Sequence, residues 1–355
     1  MTQTIMIMTT TISNYMITMT TMIMTTMSRK MVESSACDQG ARFLWERNRE
    51  GEAVLYRMHG TTPVVKVPEE IGGCPVTALG AYCFSDRGKV PEGIEDTGEL
   101  SGGQSGTLHM TELTGDFIEK VVLPDSLKRI DNAAFFGCKK LETLELGKGE
   151  LQIGSDVFTN CTNLTKMRVR GSAGEKSGAK QLLDRISWRI EVEFEDARIL
   201  YPEYYEMYDT IAPAHIFGLN IEGEGFRARQ CFHGGVVDFS GYDSIFGKAC
   251  AEESVEVLAV MALDRLMMPR ELETDKQKAY EDYIIKNAAE VLKYFVRKRA
   301  SDRLEFICKK KYAGKEALDQ ALALAVGDDW SEGAACLMEW GRKGSGECRR
   351  NRYEF

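Results

Sequence analysis

The clearest pattern in the chain is a unit of alternating apolar and polar positions that occurs twice, 23 residues apart. In the first copy Leu144 and Leu146 alternate with polar residues, and in the second copy Met167 and Val169 do the same. This period of two predicts one half-buried strand in each copy. A repeat of this length buries its apolar face only by stacking on a neighbouring copy. The sequence therefore predicts a solenoid whose strands form a short parallel sheet.

Two further positions recur inside the unit. Phe135 and Phe158 are predicted to be the large side chains of the core, and Cys138 and Cys161 each follow three residues later. A free cysteine behaves as a small apolar residue, and neither copy has the Cys-x-x-Cys spacing of a metal site. We therefore expect both cysteines to pack in the core, with a metal or disulfide role as the alternative. A weaker third copy lies upstream, around Phe84.

These units resemble the BspA-like type of leucine-rich repeat. Residues 130–146 and 153–169 carry its Ile, Ala-Phe or Val-Phe, and Cys positions, and Pro124 follows the strand before them, as the family pattern requires. The resemblance covers roughly residues 53–171. It implies a scaffold for protein recognition or for surface adhesion.

After the solenoid, the apolar period becomes helical. One stripe runs from Val255 to Leu266 and ends at Pro269, and further stripes follow to residue 341. They predict stacked helical hairpins, which loosely resemble ankyrin-type repeats without their signature turn. Before them, residues 214–221 and 226–232 flank two glycines and predict a β-hairpin.

The predicted fold class is α+β: a short leucine-rich-repeat solenoid with parallel strands, a β-containing junction and a C-terminal helical domain. The first 28 residues carry no charge and consist almost wholly of Met, Thr and Ile, which predicts disorder, with a weak membrane segment as the alternative. The predicted segments are an extension (1–30), the solenoid (40–196) with an inserted loop (87–115), a hairpin junction (197–248), helical hairpins (249–341) and a basic tail (342–355).

The charge of the chain argues against nucleic acid as its principal partner, because the net charge is −9. The basic runs at 297–299 and 309–311 are interpreted as solvated faces of helices. Ten cysteines are scattered without paired spacing, which favours a reducing compartment and a cytoplasmic location. A surface or secreted adhesin is the alternative.

Motifs for catalysis and cofactors are absent from the sequence. No P-loop and no His-Glu-x-x-His occurs, and the four histidines lack metal-ligand spacing, so we expect no cofactor, no metal and no enzymatic activity. Cys231 and His233 are the one local thiol–imidazole pair. A Cys-His hydrolase built on them is a remote alternative, since a packed cysteine beside a surface histidine explains the pair as well.

The binding surface is predicted on the outward positions of the strands. Outward residues of successive strands lie about 4.8 Å apart, so they form a ladder that another protein can contact. Opposite charges in this ladder can instead pair with each other. Four nearby tyrosines offer aromatic contact area, unless a domain seam buries them. The predicted surface, for a protein partner and not a membrane, comprises Glu145, Lys166, Arg168, Tyr201, Tyr204, Tyr205 and Tyr208.

Overall fold

The structure, a computed structural model, describes residues 41–92, 94–96, 110–211 and 216–346. The predicted N-terminal extension lies outside the described residues, as do the centre of the predicted inserted loop and most of the predicted basic tail.

The strands follow one another at short intervals in the first two thirds of the chain. They are β1 (Arg42–Arg47), β2 (Ala53–Gly60), β3 (Val64–Lys66), β4 (Glu70–Ile71), β5 (Cys74–Leu79), β6 (Glu95–Asp96), β7 (Thr111–Glu112), β8 (Lys120–Val122), β9 (Arg129–Ile130), β10 (Thr143–Leu146), β11 (Gln152–Ile153), β12 (Lys166–Val169), β13 (Ile190–Glu193), β14 (Arg198–Tyr201), β15 (Tyr205–Ile211), β16 (Ile216–Glu222), β17 (Phe232–His233) and β18 (Val236–Val237).

The helices are concentrated in the last third. They are α1 (Ala179–Leu183), α2 (Gly225–Arg229), α3 (Phe239–Glu252), α4 (Val255–Met267), α5 (Thr274–Lys286), α6 (Ala288–Arg297), α7 (Ser301–Lys310), α8 (Lys315–Gly327) and α9 (Ser331–Gly346). A 3₁₀ turn spans Gly115–Phe117. Within the described ranges, each helix is too short or too polar to cross a bilayer.

The predicted solenoid is confirmed, with about five turns. Strands β3, β8, β10, β12 and β13 pair in parallel as the main sheet, and β14 closes it by pairing antiparallel to β13. In register, Leu144 lies beside Met167, and both are buried, as their alternation with polar residues predicts. The second side of the solenoid is the parallel run β5, β9 and β11.

The core of the solenoid is a stack of phenylalanines. The ring centroids of Phe84 and Phe135 lie 5.2 Å apart, and those of Phe135 and Phe158 lie 5.6 Å apart. The Cys138 thiol donates to the carbonyl oxygen of Phe84 at 3.2 Å, and the Cys161 thiol donates to that of Phe135 at 3.0 Å. Each repeat cysteine thus bonds the backbone of the preceding turn. The weak copy around Phe84 is therefore a genuine turn of the solenoid.

The N-terminal end of the solenoid is covered by β1 and β2, which form an antiparallel pair against β5. Strand β2 is the longer of the two and runs from Ala53 to Gly60. The two described ends of the inserted loop return to this cover, because β6 pairs with β1 and β7 pairs with β2.

Three predictions about the later chain were wrong in detail. The junction hairpin is formed by β15 and β16, whereas residues 225–229 form helix α2. Arg229 fixes this helix because its buried guanidinium donates to the carbonyl oxygens of Pro202 at 2.6 Å and Trp188 at 2.7 Å.

The helical part begins at Phe239, inside the predicted junction, because the Asp238 carboxylate caps α3 by accepting from the Gly241 amide at 2.9 Å. One of the further apolar stripes, from Tyr280 to Phe295, was predicted as a single stripe but is divided between two helices, α5 and α6, which meet at Asn287. The remaining stripes, after residue 300, correspond to α7, α8 and α9.

Candidate functional site

The outward face of the main sheet carries charges of both signs on neighbouring strands. Lys120 and Glu145 pair with an N–O distance of 3.2 Å, and Arg168 pairs with Glu193 at 3.1 Å. Opposite charges in the ladder thus pair with each other across neighbouring strands, which is the alternative to a contact with a partner. Lys166 is exposed on this face and has no side-chain partner among the residues that the structure describes.

A groove of about 640 Å³ lies where helices α6 and α7 approach the last strands of this face. Arg303 reaches from α7 to the outward Glu191 at 2.8 Å. Arg198 of β14 donates to the Asp302 carboxylate at 3.0 Å. These contacts hold the helices against the sheet, and both contacts lie in the groove wall.

Beneath the groove lies Asp264 of α4, whose side chain is fully buried. Its Oδ1 atom accepts from Nε and Nη2 of Arg303, at 3.0 and 2.7 Å. Its Oδ2 atom has no hydrogen-bond donor within the described part of the chain. Burial raises the pKa of Asp264 to about 7, and the positive charge of Arg303 opposes this shift.

The groove is more basic than the chain around it. Seven basic and three acidic side chains line it, a formal charge of +4, and Asp264 beneath adds one further carboxyl group. The three lining carboxylates, of Glu191, Glu193 and Asp302, all contact arginines. Several of the lining cations are therefore not neutralised by the groove's own acids.

A comparison with family models supports the repeat assignment. The model described as "BspA type Leucine rich repeat region (6 copies)" matches residues 112–177. This part of the solenoid is therefore similar to BspA-type leucine-rich repeats. No curated protein matches the chain, and no solved structure matches it either.

The four tyrosines near the BspA-type repeats do not share one surface. Tyr201 is buried in the seam between the last sheet strand and the helices, with its ring 6.2 Å from that of Phe232. Tyr204 is half-buried against Phe226, whereas Tyr205 is 59% exposed. The side chain of Tyr208 lies outside the described residues. Of the predicted surface residues, the groove itself contains Lys166 and Arg168, and Glu145 lies beside Arg168 at 4.0 Å.

The thiol and imidazole of the remote hydrolase alternative have separate partners. The Cys231 thiol donates to the carbonyl oxygen of Arg227 at 3.4 Å, and burial raises its pKa to about 11. His233 is exposed and bonds the Asp238 carboxylate at 3.1 Å. A buried thiol with a raised pKa is a poor nucleophile. In the described ranges, no cluster of three or more His, Cys, Asp or Glu residues could hold a metal ion.

Sequence reasoning missed the helical wall of the groove. Arg303 and Asp264 belong to helices that the sequence predicts from their apolar stripes alone, and Lys298 and Arg299 belong to a basic run that was interpreted as a solvated face. Asp264 followed by Arg265, in the middle of an otherwise apolar helix, is the signal that could have revealed them, since charges are rarely buried unless they are paired.

Proposed function

We propose that this protein is a non-enzymatic interaction module that binds another protein through the outward face of its main sheet and the adjoining groove. The observation that carries this proposal is the groove itself, where exposed cations of the repeats face the helical wall. Repeat architectures expose extended surfaces of this kind, and partners use them. Lys166 and Arg168 are the repeat residues that contact the partner in this proposal.

In this proposal, each segment of the chain has a separate role in forming the binding site. The solenoid and the helical hairpins supply the two walls of the groove, and the hairpin junction joins them. The ankyrin-like character of the helices is part of the proposal. A cytoplasmic location is favoured over a secreted one because the cysteines of the described residues are free and most are buried, as expected in a reducing compartment.

The test starts with affinity capture by the tagged full-length chain from a lysate of its native host, followed by mass spectrometry. Each captured protein is then purified, and its affinity for the parent and for Lys166→Glu/Arg168→Glu is measured. This double substitution reverses two exposed charges at the proposed interface, and we expect it to weaken binding by about tenfold or more. Circular dichroism checks that the variant is folded, because Arg168 also pairs with Glu193.

A matched control is available on another side of the repeat. Lys139 and Lys140 are exposed and follow the Cys138 turn, and Lys139→Glu/Lys140→Glu makes the same change in net charge outside the groove. The proposal requires that this control keeps the parental affinity. Equal affinity of the two double variants for the partner would contradict it, and so would the absence of any protein that binds the parent directly.

A further inference from the structure

The sign of the charge in the groove is opposite to that of the chain. The groove has a formal charge of +4 from the side chains that line it, whereas the whole chain carries −9. A concave site concentrates the field of its charges, so a local excess of one sign selects and steers partners of the other sign. This local inversion favours a ligand of negative charge.

The cations that create the excess come from both walls. Lys166 lies on the sheet side, and Lys298 and Arg299 lie on the helical side, just after α6 ends at Arg297. All three are exposed, and none has a carboxylate partner among the described residues. Arg299 donates to the carbonyl oxygen of Asp328 at 3.2 Å, which leaves its charge uncompensated. A ligand between the walls can pair with cations on both sides.

The accessible surface inside the groove is mainly polar, because its apolar lining residues are buried. Leu200, Val260 and Phe295 are among its lining residues, and each is at most 2% exposed. A volume of about 640 Å³ is in the range that accommodates a few side chains. A ligand in the groove therefore contacts mostly charged side chains on two walls, which suits a short peptide segment with several carboxylates better than a single free anion.

Nucleic acid fits the same groove poorly. Three carboxylates line it together with the cations, and they would repel a continuous run of phosphates. The groove's tyrosine is also unsuited to stacking a base, because the Arg189 guanidinium lies 5.9 Å from the ring centroid of Tyr294 and donates to its hydroxyl at 3.0 Å. The charges therefore favour isolated carboxylates at spaced positions.

We propose that the groove binds an acidic peptide segment of the partner, with spaced Glu or Asp side chains that pair with Lys166 on one wall and with Lys298 and Arg299 on the other. This inference rests on the proposed function, since it names the chemistry of the partner for the same site.

The experiment uses the full-length chain and a fluorescein-labelled peptide of about ten residues in which glutamate alternates with alanine, since spaced carboxylates are what the two cationic walls can pair with. Fluorescence anisotropy measures its binding, and the same peptide with glutamine in place of glutamate is the neutral probe. Lys166→Glu/Lys298→Glu changes one cation on each wall. Lys139→Glu/Lys140→Glu again makes the same change in net charge elsewhere.

The expected result is that the parent binds the glutamate peptide and not the glutamine peptide, and that Lys166→Glu/Lys298→Glu weakens binding by about tenfold or more while the control stays within about twofold. The groove variant should in turn bind a lysine–alanine peptide more tightly than the parent does. No binding of the glutamate peptide by the parent, or an equal loss in the control, would overturn the inference. Tighter binding of a single-stranded oligonucleotide of the same charge would also overturn it.

These outcomes are distinguishable from a failure of the proposed function. If a purified partner binds the parent and Lys166→Glu/Arg168→Glu weakens that complex, the interaction module stands. If the glutamate peptide does not bind and does not compete with that partner, only the acidic-segment inference is lost.

Discussion

Replacing Phe135 by alanine tests the repeat at its most connected position. The ring of Phe135 is completely buried and is stacked on two others, with planes inclined by 17° to each. Its backbone carbonyl also accepts the Cys161 thiol, and its amide donates to the carbonyl of Val157 at 3.1 Å. Phe135→Ala therefore leaves a cavity between two turns of the solenoid and removes both ring contacts at once.

The magnitude follows from these contacts. Truncating a buried phenylalanine to alanine costs about 3–5 kcal/mol, and each aromatic pair accounts for about 0.5–1.5 kcal/mol beyond area burial. Because Phe135 has two ring neighbours, we expect a loss in the upper half of that range, about 4 kcal/mol. Phe158→Ala should lower the free energy of unfolding by less than Phe135→Ala does, and the difference should be about the energy of one aromatic pair, because the ring of Phe158 is stacked on that of Phe135.

Native-state hydrogen exchange with mass spectrometry is the appropriate assay, because a chain with solenoid and helical parts need not unfold in one step. A loss of about 4 kcal/mol corresponds to an approximately thousandfold faster exchange of protected amides in residues 112–177. Phe136→Ala, at the neighbouring residue, is the control. The ring of Phe136 is only half-buried, and its centroid lies 5.3 Å from the guanidinium carbon of Arg87, so we expect a loss of about 1 kcal/mol in the free energy of unfolding. If the two variants exchange equally fast, the assigned repeat register is wrong.

Three further predictions concern the thiols and the buried charges. In the folded protein Cys161 should resist alkylation, because burial raises its pKa to about 12, whereas the exposed Cys250 should react; peptide mass spectrometry reads both sites. Arg303→Ala removes the two hydrogen bonds that the buried Asp264 accepts from that guanidinium and leaves the weaker ion pair with Arg198 at 4.0 Å. The free energy of unfolding should fall by about 3–5 kcal/mol in chemical denaturation, and a loss below about 1 kcal/mol would contradict this. Because burial raises the pKa of Asp264 to about 7, the folded state holds that proton more tightly than the unfolded state. The parent should therefore lose stability relative to Asp264→Asn as the pH rises from about 4 to about 7, and the difference in stability should be constant above this window. Denaturation midpoints of both proteins across this pH range check the prediction. A parent that gains stability relative to Asp264→Asn as the pH rises would show that Arg303 keeps the carboxylate ionised.

The repeats were predictable from the sequence because each of their contacts joins equivalent positions in successive units. A residue such as Leu144 meets its counterpart Met167, so one period of the sequence describes the whole stack. The same holds for the phenylalanines and for the two repeat cysteines. The weak copy around Phe84 was recognisable for the same reason, although a long insertion separates it from the next turn.

The junction was harder to predict because its apolar residues do not alternate cleanly. At the start of β15, Tyr205 and Met207 are both exposed, so large apolar or aromatic residues do not mark a buried face in that part of the strand. Tyr201 resembles its neighbours along the chain, yet it lies in the core because β14 packs under the helices. Composition alone cannot separate a tyrosine that contacts solvent from one that fills a seam.

The groove was unpredictable for a different reason, which also bears on how it works. The outward charges of the first repeats pair with each other, as Lys120 and Glu145 do, so a partner that contacted this part of the sheet alone would encounter little uncompensated charge. Of the formal charge of +4 in the groove, the sheet side supplies +2 and the helical wall supplies +2, and the helical share includes Lys298 and Arg299, which are far from Lys166 in the chain. The helical domain therefore contributes half of the formal charge of the proposed recognition site, and Arg303 is among the residues that hold this domain against the sheet.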